Sequence, residues 1–131
     1  MSMTDPVADL LTRLRNACMA GQRRVDVPVS KLKVEIAKLL CDNHYIQDYK
    51  VLDDGEHGVL RLYLKYHGET PVIRELRRVS TPGLRRYVKV REIPRVKNGL
   101  GMAIVSTPRG LMTDKDARKQ HLGGELLAVL W

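Results

Sequence analysis

Gly99-Leu-Gly-Met-Ala-Ile-Val-Ser-Thr-Pro-Arg-Gly-Leu-Met-Thr113, followed after a short charged stretch by Gly123-Gly-Glu-Leu-Leu-Ala-Val-Leu-Trp131, decides how this chain is read. Met102 to Val105 is short and apolar and fits a buried strand, and Glu125 to Trp131 fits another. Between them Thr113 can cap a short helix with Asp116 as its third residue, a capping box with an acid in place of the usual Glu. Arg118, Lys119 and His121 fall late in that helix, where cations suit its dipole. The last quarter therefore reads as mostly β with one short helix. Its turns gather two glycine pairs, two hydroxyl residues and an arginine.

Upstream lies the most basic part of the chain. From Arg74 to Lys97 there are nine basic residues and two acidic ones. Val72 to Val79 alternates like a strand with Arg74 and Arg78 outward, Tyr87 to Val90 fits a short strand, and Glu92-Ile-Pro94 a turn. A domain boundary is expected near residues 68–80, giving an N-terminal domain over 1–70 and a C-terminal domain over 71–131, with 74–97 as a basic approach segment.

The first half predicts helix, strand, helix, strand, strand. Asp5-Pro6 is a helix start with a carboxylate cap and proline at the first helical position. Val7, Leu10, Leu11, Leu14, Ala17 and Cys18 then recur at helical spacing, and Gly21 ends the run. Arg23 to Pro28 fits a short edge strand. Ser30 can cap a second helix with Leu32, Ile36, Leu39 and Leu40 as its buried stripe and Lys31, Lys33 and Lys38 on its other faces. Lys31 and Lys33 stand in its first turn, where the dipole disfavours cations, so an external anion could compensate. Ile46 to Leu52 and Val59 to Tyr66 predict a hairpin around an acidic loop, with Leu60, Leu62 and Leu64 on one face. The fold class expected is α+β: two small mixed α/β domains, an N-terminal helix-strand-helix-strand-strand layer and a mostly β C-terminal domain.

Composition bounds the function. The chain has 131 residues, 44% of them hydrophobic, with 23 Lys and Arg against 15 Asp and Glu for a formal charge of +8. That excess ranks nucleic acid first among partners, ahead of an acidic protein or a membrane surface. Cys18 and Cys41 are too few for a disulfide framework and lack metal-ligand spacing. Met1 to Pro6 does not resemble a signal peptide, and no apolar run approaches a membrane span, so a cytoplasmic location is expected. His44, His57, His67 and His121 are scattered, and no H-E-x-x-H or C-x-x-C pattern appears. Asp53-Asp-Gly55 lacks the ligand register of a calcium loop. No catalytic residue, metal or cofactor is expected.

Nucleic-acid binding accounts for more. Arg and Lys attach to phosphate in a salt-sensitive way, whereas specificity needs short donors and acceptors near irregular backbone. Ser106 and Thr107 offer hydroxyls, Arg109 a guanidinium, and the Gly99/Gly101 and Gly123/Gly124 pairs permit close backbone approach to a ligand. Glu125 would repel phosphate, so it is either a solvated strand-edge charge or an acceptor from backbone, a base amino group or a ribose hydroxyl. Tyr87, between Arg86 and Lys89, could stack on a base or pack as half-buried core. With no Phe and only five Tyr, structured RNA fits better than a stacked single strand. An enzyme acting on nucleic acid and a basic adaptor for acidic proteins are the competing classes.

The segments Asp5-Pro-Val-Ala-Asp-Leu-Leu-Thr-Arg-Leu-Arg-Asn16, Ser30-Lys-Leu-Lys33, Arg78-Val-Ser-Thr-Pro-Gly-Leu-Arg85, Gly99-Leu-Gly101, Ile104-Val-Ser-Thr107 and Gly110-Leu-Met-Thr-Asp114 with Gly123-Gly-Glu125, in this order, resemble the bacterial small-subunit ribosomal protein eight family. The resemblance implies a structural, non-catalytic ribosomal protein that binds the central domain of small-subunit ribosomal RNA at an irregular helix and supports subunit assembly. It implies contacts with neighbouring ribosomal proteins and, in some members, repression of translation through the protein's own operon messenger RNA. No membrane or small-molecule substrate is implied. Carried over, Ser106, Thr107, Gly124 and Glu125 become specificity residues, beside Arg109 from the reading above. Thr4, Asp5, Lys31, Arg85, Arg86 and Tyr87 become RNA-backbone or auxiliary residues. One departure stands out: the family usually has a third hydroxyl where this chain has Pro108, which removes a backbone donor and restricts Thr107 toward extended geometry.

Overall fold

A computed structural model describes residues 5–53 and 57–131. The chain separates into two compact units, one over Pro6–Arg74 and one formed by Asp5 with Glu75–Trp131. Both mix helix and sheet, as the α+β class requires.

In the N-terminal unit, α1 (Pro6–Met19) buries Val7, Leu10, Leu11, Leu14 and Ala17, the stripe that its spacing predicts. It is followed by β1 (Arg24–Pro28), α2 (Lys31–Asp42), β2 (Ile46–Asp53) and β3 (Gly58–Leu64). The antiparallel order is β1-β3-β2, so the proline-ended strand is indeed an edge. Leu60, Leu62 and Leu64 turn to the buried face, while Arg61 and Tyr63 alternate away from it. The helices cover the sheet, α1 against β1 and α2 against β2. Two short strands, β4 (Tyr66–His67) and β5 (Thr70–Pro71), close the unit as a separate hairpin.

Helix α2 departs from expectation on one face. Ser30 caps it as predicted, its hydroxyl accepting from the Lys33 backbone at 3.2 Å. The Lys33 side chain, however, is only 6% exposed, and Ala37 joins Ile36 and Leu40 in the buried stripe while Leu32 and Leu39 are half-buried. The reason is a local acceptor. Lys33 lays its methylenes against the core and donates Nζ to the Pro28 carbonyl at 3.1 Å, so its charge is not stranded. Lys31 remains exposed in the first turn.

The C-terminal unit holds β6 (Leu76–Arg78), β7 (Tyr87–Val88), β8 (Met102–Thr107), β9 (Gly110–Thr113), α3 (Asp114–Lys119) and β10 (Gly124–Leu130). Strands run in the order β6-β10-β8-β9, with β7 also on β10, so the last strand is central. The strand expected over Val72–Val79 is confined to β6, because Val72 instead extends the β4–β5 hairpin, its N–H donating to the Lys65 carbonyl at 2.9 Å. Strand β9 was assigned no element from sequence. Ala103, Val105, Met112, Ala117 and Leu126 make the core beneath α3, together with Ile93 and Val96 from two 3₁₀ turns. Thr113 caps α3 by accepting from the Asp116 backbone at 3.2 Å. Asp114 is buried, accepting from the Ala103 backbone at 3.1 Å and from Arg118 at 2.7 Å.

Arg78 also corrects the sequence expectation. Its side chain points inward and is 13% exposed, held by the Asp5 carboxylate at 3.1 and 3.3 Å. Its Nη1 donates to the Leu127 carbonyl at 2.6 Å. Leu127 lies where the β10–β8 register slips between Leu126 and Ala128, so an extra residue must be accommodated there. A guanidinium can satisfy that irregular backbone and the carboxylate at once.

Two outcomes follow from this packing. A Cβ on Gly124 would sit 2.1 Å from the Ser106 carbonyl oxygen and 3.1 Å from the Thr107 Cα, both backbone atoms that cannot rotate away. Gly124→Ala is expected to push β10 from β8 and to lower stability by about 1–3 kcal/mol in urea unfolding; an unchanged midpoint would contradict it. In the N-terminal unit, Asp26 and Arg61 face each other across β1 and β3 and bond through both oxygens, at 2.8 and 3.0 Å. The Arg61 hydrogen bond holds the Asp26 carboxyl below its ordinary value. A lowered folded pKa gives stability above the unfolded value that is lost as pH falls through the folded one. The stability gap between wild type and Asp26→Asn in thermal melts should therefore narrow below about pH 4, and a gap constant down to pH 3 would be inconsistent with this pairing.

Candidate nucleic-acid interface

Strand β8 alternates, with Ala103 and Val105 facing the α3 core and Ser106 turning to the other face. Its register against β10 pairs Ser106 with Glu125, and β10 against β7 pairs Glu125 with Tyr87. On the far side Ser106 pairs with Leu111 of β9. Residues directly opposite across strands share a face, so Tyr87, Glu125 and Ser106 form one row. Tyr87 is 71% exposed, which removes the half-buried alternative. Neither the Tyr87 nor the Ser106 hydroxyl has a hydrogen-bond partner among the described residues.

Glu125 sits at the centre of the row, and it is not a solvated edge charge. Its Oε2 accepts from Ser80 Oγ at 2.5 Å and from Arg85 Nη1 at 2.9 Å. Burial alone would push this carboxyl up, but the bonds from Ser80 and Arg85 outweigh it and hold the group below its ordinary value. The carboxylate is therefore ionised at neutral pH and partly screened by its own arginine. Sequence reading gave Ser80 no role, although it lies inside a quoted motif. The available signal was a hydroxyl at the foot of the Thr81-Pro-Gly-Leu84 turn, between two cationic stretches.

Thr107 is used differently from Ser106. Its hydroxyl donates to the Gly110 carbonyl at 2.8 Å and accepts from the Arg109 backbone at 3.1 Å. The threonine thus closes the two-residue connection from β8 to β9. Pro108 fits this turn, because its fixed φ suits the first loop position and its missing N–H lies outside the ladder. Thr107 ends a strand, so the restriction that proline imposes on it is already met. Gly110, at φ 106°, takes the left-handed position that follows. Arg109 projects from the tip, exposed and unpaired among the described residues.

The glycine pairs also have structural tasks. The space over Gly124 is taken by the Ser106 carbonyl, and that over Gly123 by the Val88 carbonyl at 2.4 Å, so both permit strand-to-strand approach. Gly99 and Gly101 lie at the opposite end of β8, about 15 Å from Ser106 at strand spacing. There Gly101 packs against Val96, Leu130 and Trp131. They are not brought to the row.

Among the auxiliary residues, Arg85 bonds Glu125, and Arg86 follows it with an exposed, unpaired guanidinium among the described residues. The Asp5 carboxylate is engaged by Arg78. Lys31 belongs to the N-terminal unit, and Thr4 lies outside the described residues. No group of three His, Cys, Asp or Glu that could hold a metal occurs among the described residues. No described helix is long and apolar enough to cross a membrane.

The family described as Ribosomal protein S8 matches residues 5–131. Small ribosomal subunit protein uS8 of Geotalea uraniireducens is 56% identical, with all of both chains covered. The proteins of the same description from Geobacter sulfurreducens and Geobacillus kaustophilus are 56% and 52% identical, again over the whole of both chains. With a match from Asp5 to the last residue and full-length relatives above half identity, the chain belongs to the ribosomal protein S8 family.

Proposed function

We propose that this chain is a non-catalytic constituent of the small ribosomal subunit in the cytoplasm that binds the central domain of small-subunit ribosomal RNA at an irregular helix and supports assembly. Its RNA-binding domain is the unit that contains Glu75–Trp131. The observation that carries this reading is the row Tyr87–Glu125–Ser106, with two unspent hydroxyls around a fixed carboxylate and free arginines at Arg86 and Arg109.

Each member of the row has a separate task. Arg86 and Arg109 hold phosphates, a contribution any RNA receives. Ser106 exchanges hydrogen bonds with a base edge or ribose in an irregular segment, and the exposed Tyr87 ring lies against a sugar or base. Glu125 repels phosphate and accepts from a donor, a 2′-hydroxyl or an exocyclic amine, so it penalises wrongly placed backbone. Thr107 acts by shaping the turn that presents Ser106 and Arg109. Thr4, Asp5 and Lys31 are auxiliary residues. Neighbouring ribosomal proteins are further partners, and the chain's own operon messenger RNA is a second ligand if it carries a similar irregular helix.

Binding to the target helix and to a scrambled duplex, measured across salt concentrations, separates these tasks. Ser106→Ala should cut the ratio of the two affinities about five- to tenfold, near the net value of one hydrogen bond, with its salt dependence unchanged. Arg86→Ala should weaken both RNAs alike and reduce the salt slope by about one. Equal losses on both RNAs for Ser106→Ala would refute the division.

A further inference from the structure

Resting on that reading of the row, we infer that Ser80 is a positioning residue for RNA discrimination, which fixes the Glu125 carboxylate so that one oxygen faces the RNA. The Ser80 side chain is 0% exposed, so it touches no ligand itself. Its Oγ accepts from the Arg86 backbone N–H at 3.0 Å and is 2.5 Å from Glu125 Oε2. A hydroxyl has one proton, and a backbone N–H can only donate, so the direction of this relay is determined. Arg86 donates to Ser80, and Ser80 donates to Glu125.

The second bond to the carboxylate converges on the same atom. Arg85 Nη1 reaches Oε2 at 2.9 Å. Two donors on one oxygen fix the carboxylate plane and leave Oε1 as the acceptor available to the row. Around the carboxylate stand Arg85 from the 80–86 loop, Arg78 from β6, Tyr87 from β7 and Ser106 from β8. A glutamate on a strand would otherwise sample several rotamers, and that freedom would be lost on binding. Here it is lost on folding.

The same residue ties down the loop. The Ser80 backbone donates to the Leu126 carbonyl at 3.0 Å, and the Leu126 backbone donates to the Arg86 carbonyl at 2.9 Å. Both ends of the 80–86 loop are thus anchored to the residue after Glu125. Ser80 couples the carboxylate to the position of Arg86 and, one residue on, Tyr87.

The test compares Ser80→Ala, Ser80→Cys, Glu125→Gln and the Ser80→Ala/Glu125→Gln double variant on the target helix and a scrambled duplex, with NMR titration of the Glu125 carboxyl. Ser80→Ala should raise the Glu125 pKa, reduce the affinity ratio about tenfold and leave the salt slope unchanged. The double variant should lose no more discrimination than Glu125→Gln alone. Ser80→Cys, which keeps the volume with a weaker donor, should fall between wild type and alanine; if Ser80→Ala does not fold, it carries the test. A shifted titration with unchanged discrimination, equal losses on both RNAs, or additive losses in the double variant would each overturn the proposal. Failure of the underlying reading has a different signature, because wild type itself would then not distinguish the two RNAs.

Discussion

The C-terminal unit depends on the register of β10. This one strand pairs with β6, β7 and β8, and its alternation is fixed by Leu126, which must face the core beneath α3. Once Leu126 is buried, Glu125 is forced to the opposite face, level with Ser106 on one side and Tyr87 on the other. A slip of one residue would bury the carboxylate and expose the leucine, an arrangement penalised twice. The polar row is thus held by hydrophobic burial rather than by its own weak bonds. Gly124 makes this close pairing sterically possible, since any side chain there would meet the Ser106 carbonyl.

A carboxylate at the centre of a cationic surface has its own logic. Left unpaired and half-buried, Glu125 would draw its cost from desolvation and would tend to take up a proton. Ser80 and Arg85 reverse that tendency, so the group stays charged without demanding a partner from solvent. Arg85 is correspondingly committed to an internal partner, which leaves Arg86 the freer cation of the two. Adjacent arginines in the sequence are therefore not equivalent: the first belongs to the carboxylate, the second faces outward.

Much of this was legible in the residues. The apolar stripe of α1, the alternation of β3, the Ser30 and Thr113 caps and the final strand are local patterns whose period or spacing is carried by a few neighbours. What escaped depends on partners distant in sequence. Lys33 is the local exception, buried because the Pro28 carbonyl five residues earlier accepts from it. Arg78 turns inward because Asp5 and the bulged Leu127 lie within reach, 73 and 49 residues away along the chain. The space over Gly123 and Gly124 is filled by the backbone of β7 and β8, strands that only the fold brings beside them. Ser80 carried no signal of its own, since its significance arises only when Glu125 is brought to it.

The distribution of cations shows why net charge is a poor guide to where RNA would be read. Within the basic stretch, Arg78 is committed to Asp5, and Arg85 to Glu125. Arg77 and Lys97 stand over the Trp131 ring at 4.9 and 4.7 Å, on either account closing the far end of the sheet rather than serving the row. Each of these side chains contributes to the long-range field that draws a polyanion, but only part of that field is available as contacts. Under the proposed function, the capacity to discriminate rests with groups that carry no net charge, Ser106 and Tyr87, and with the one negative group among them. On that proposal, a polyanion attracted to the surface would meet an acceptor at its centre, and only a nucleic acid that offers a donor there, with its phosphates displaced toward Arg86 and Arg109, would satisfy both demands.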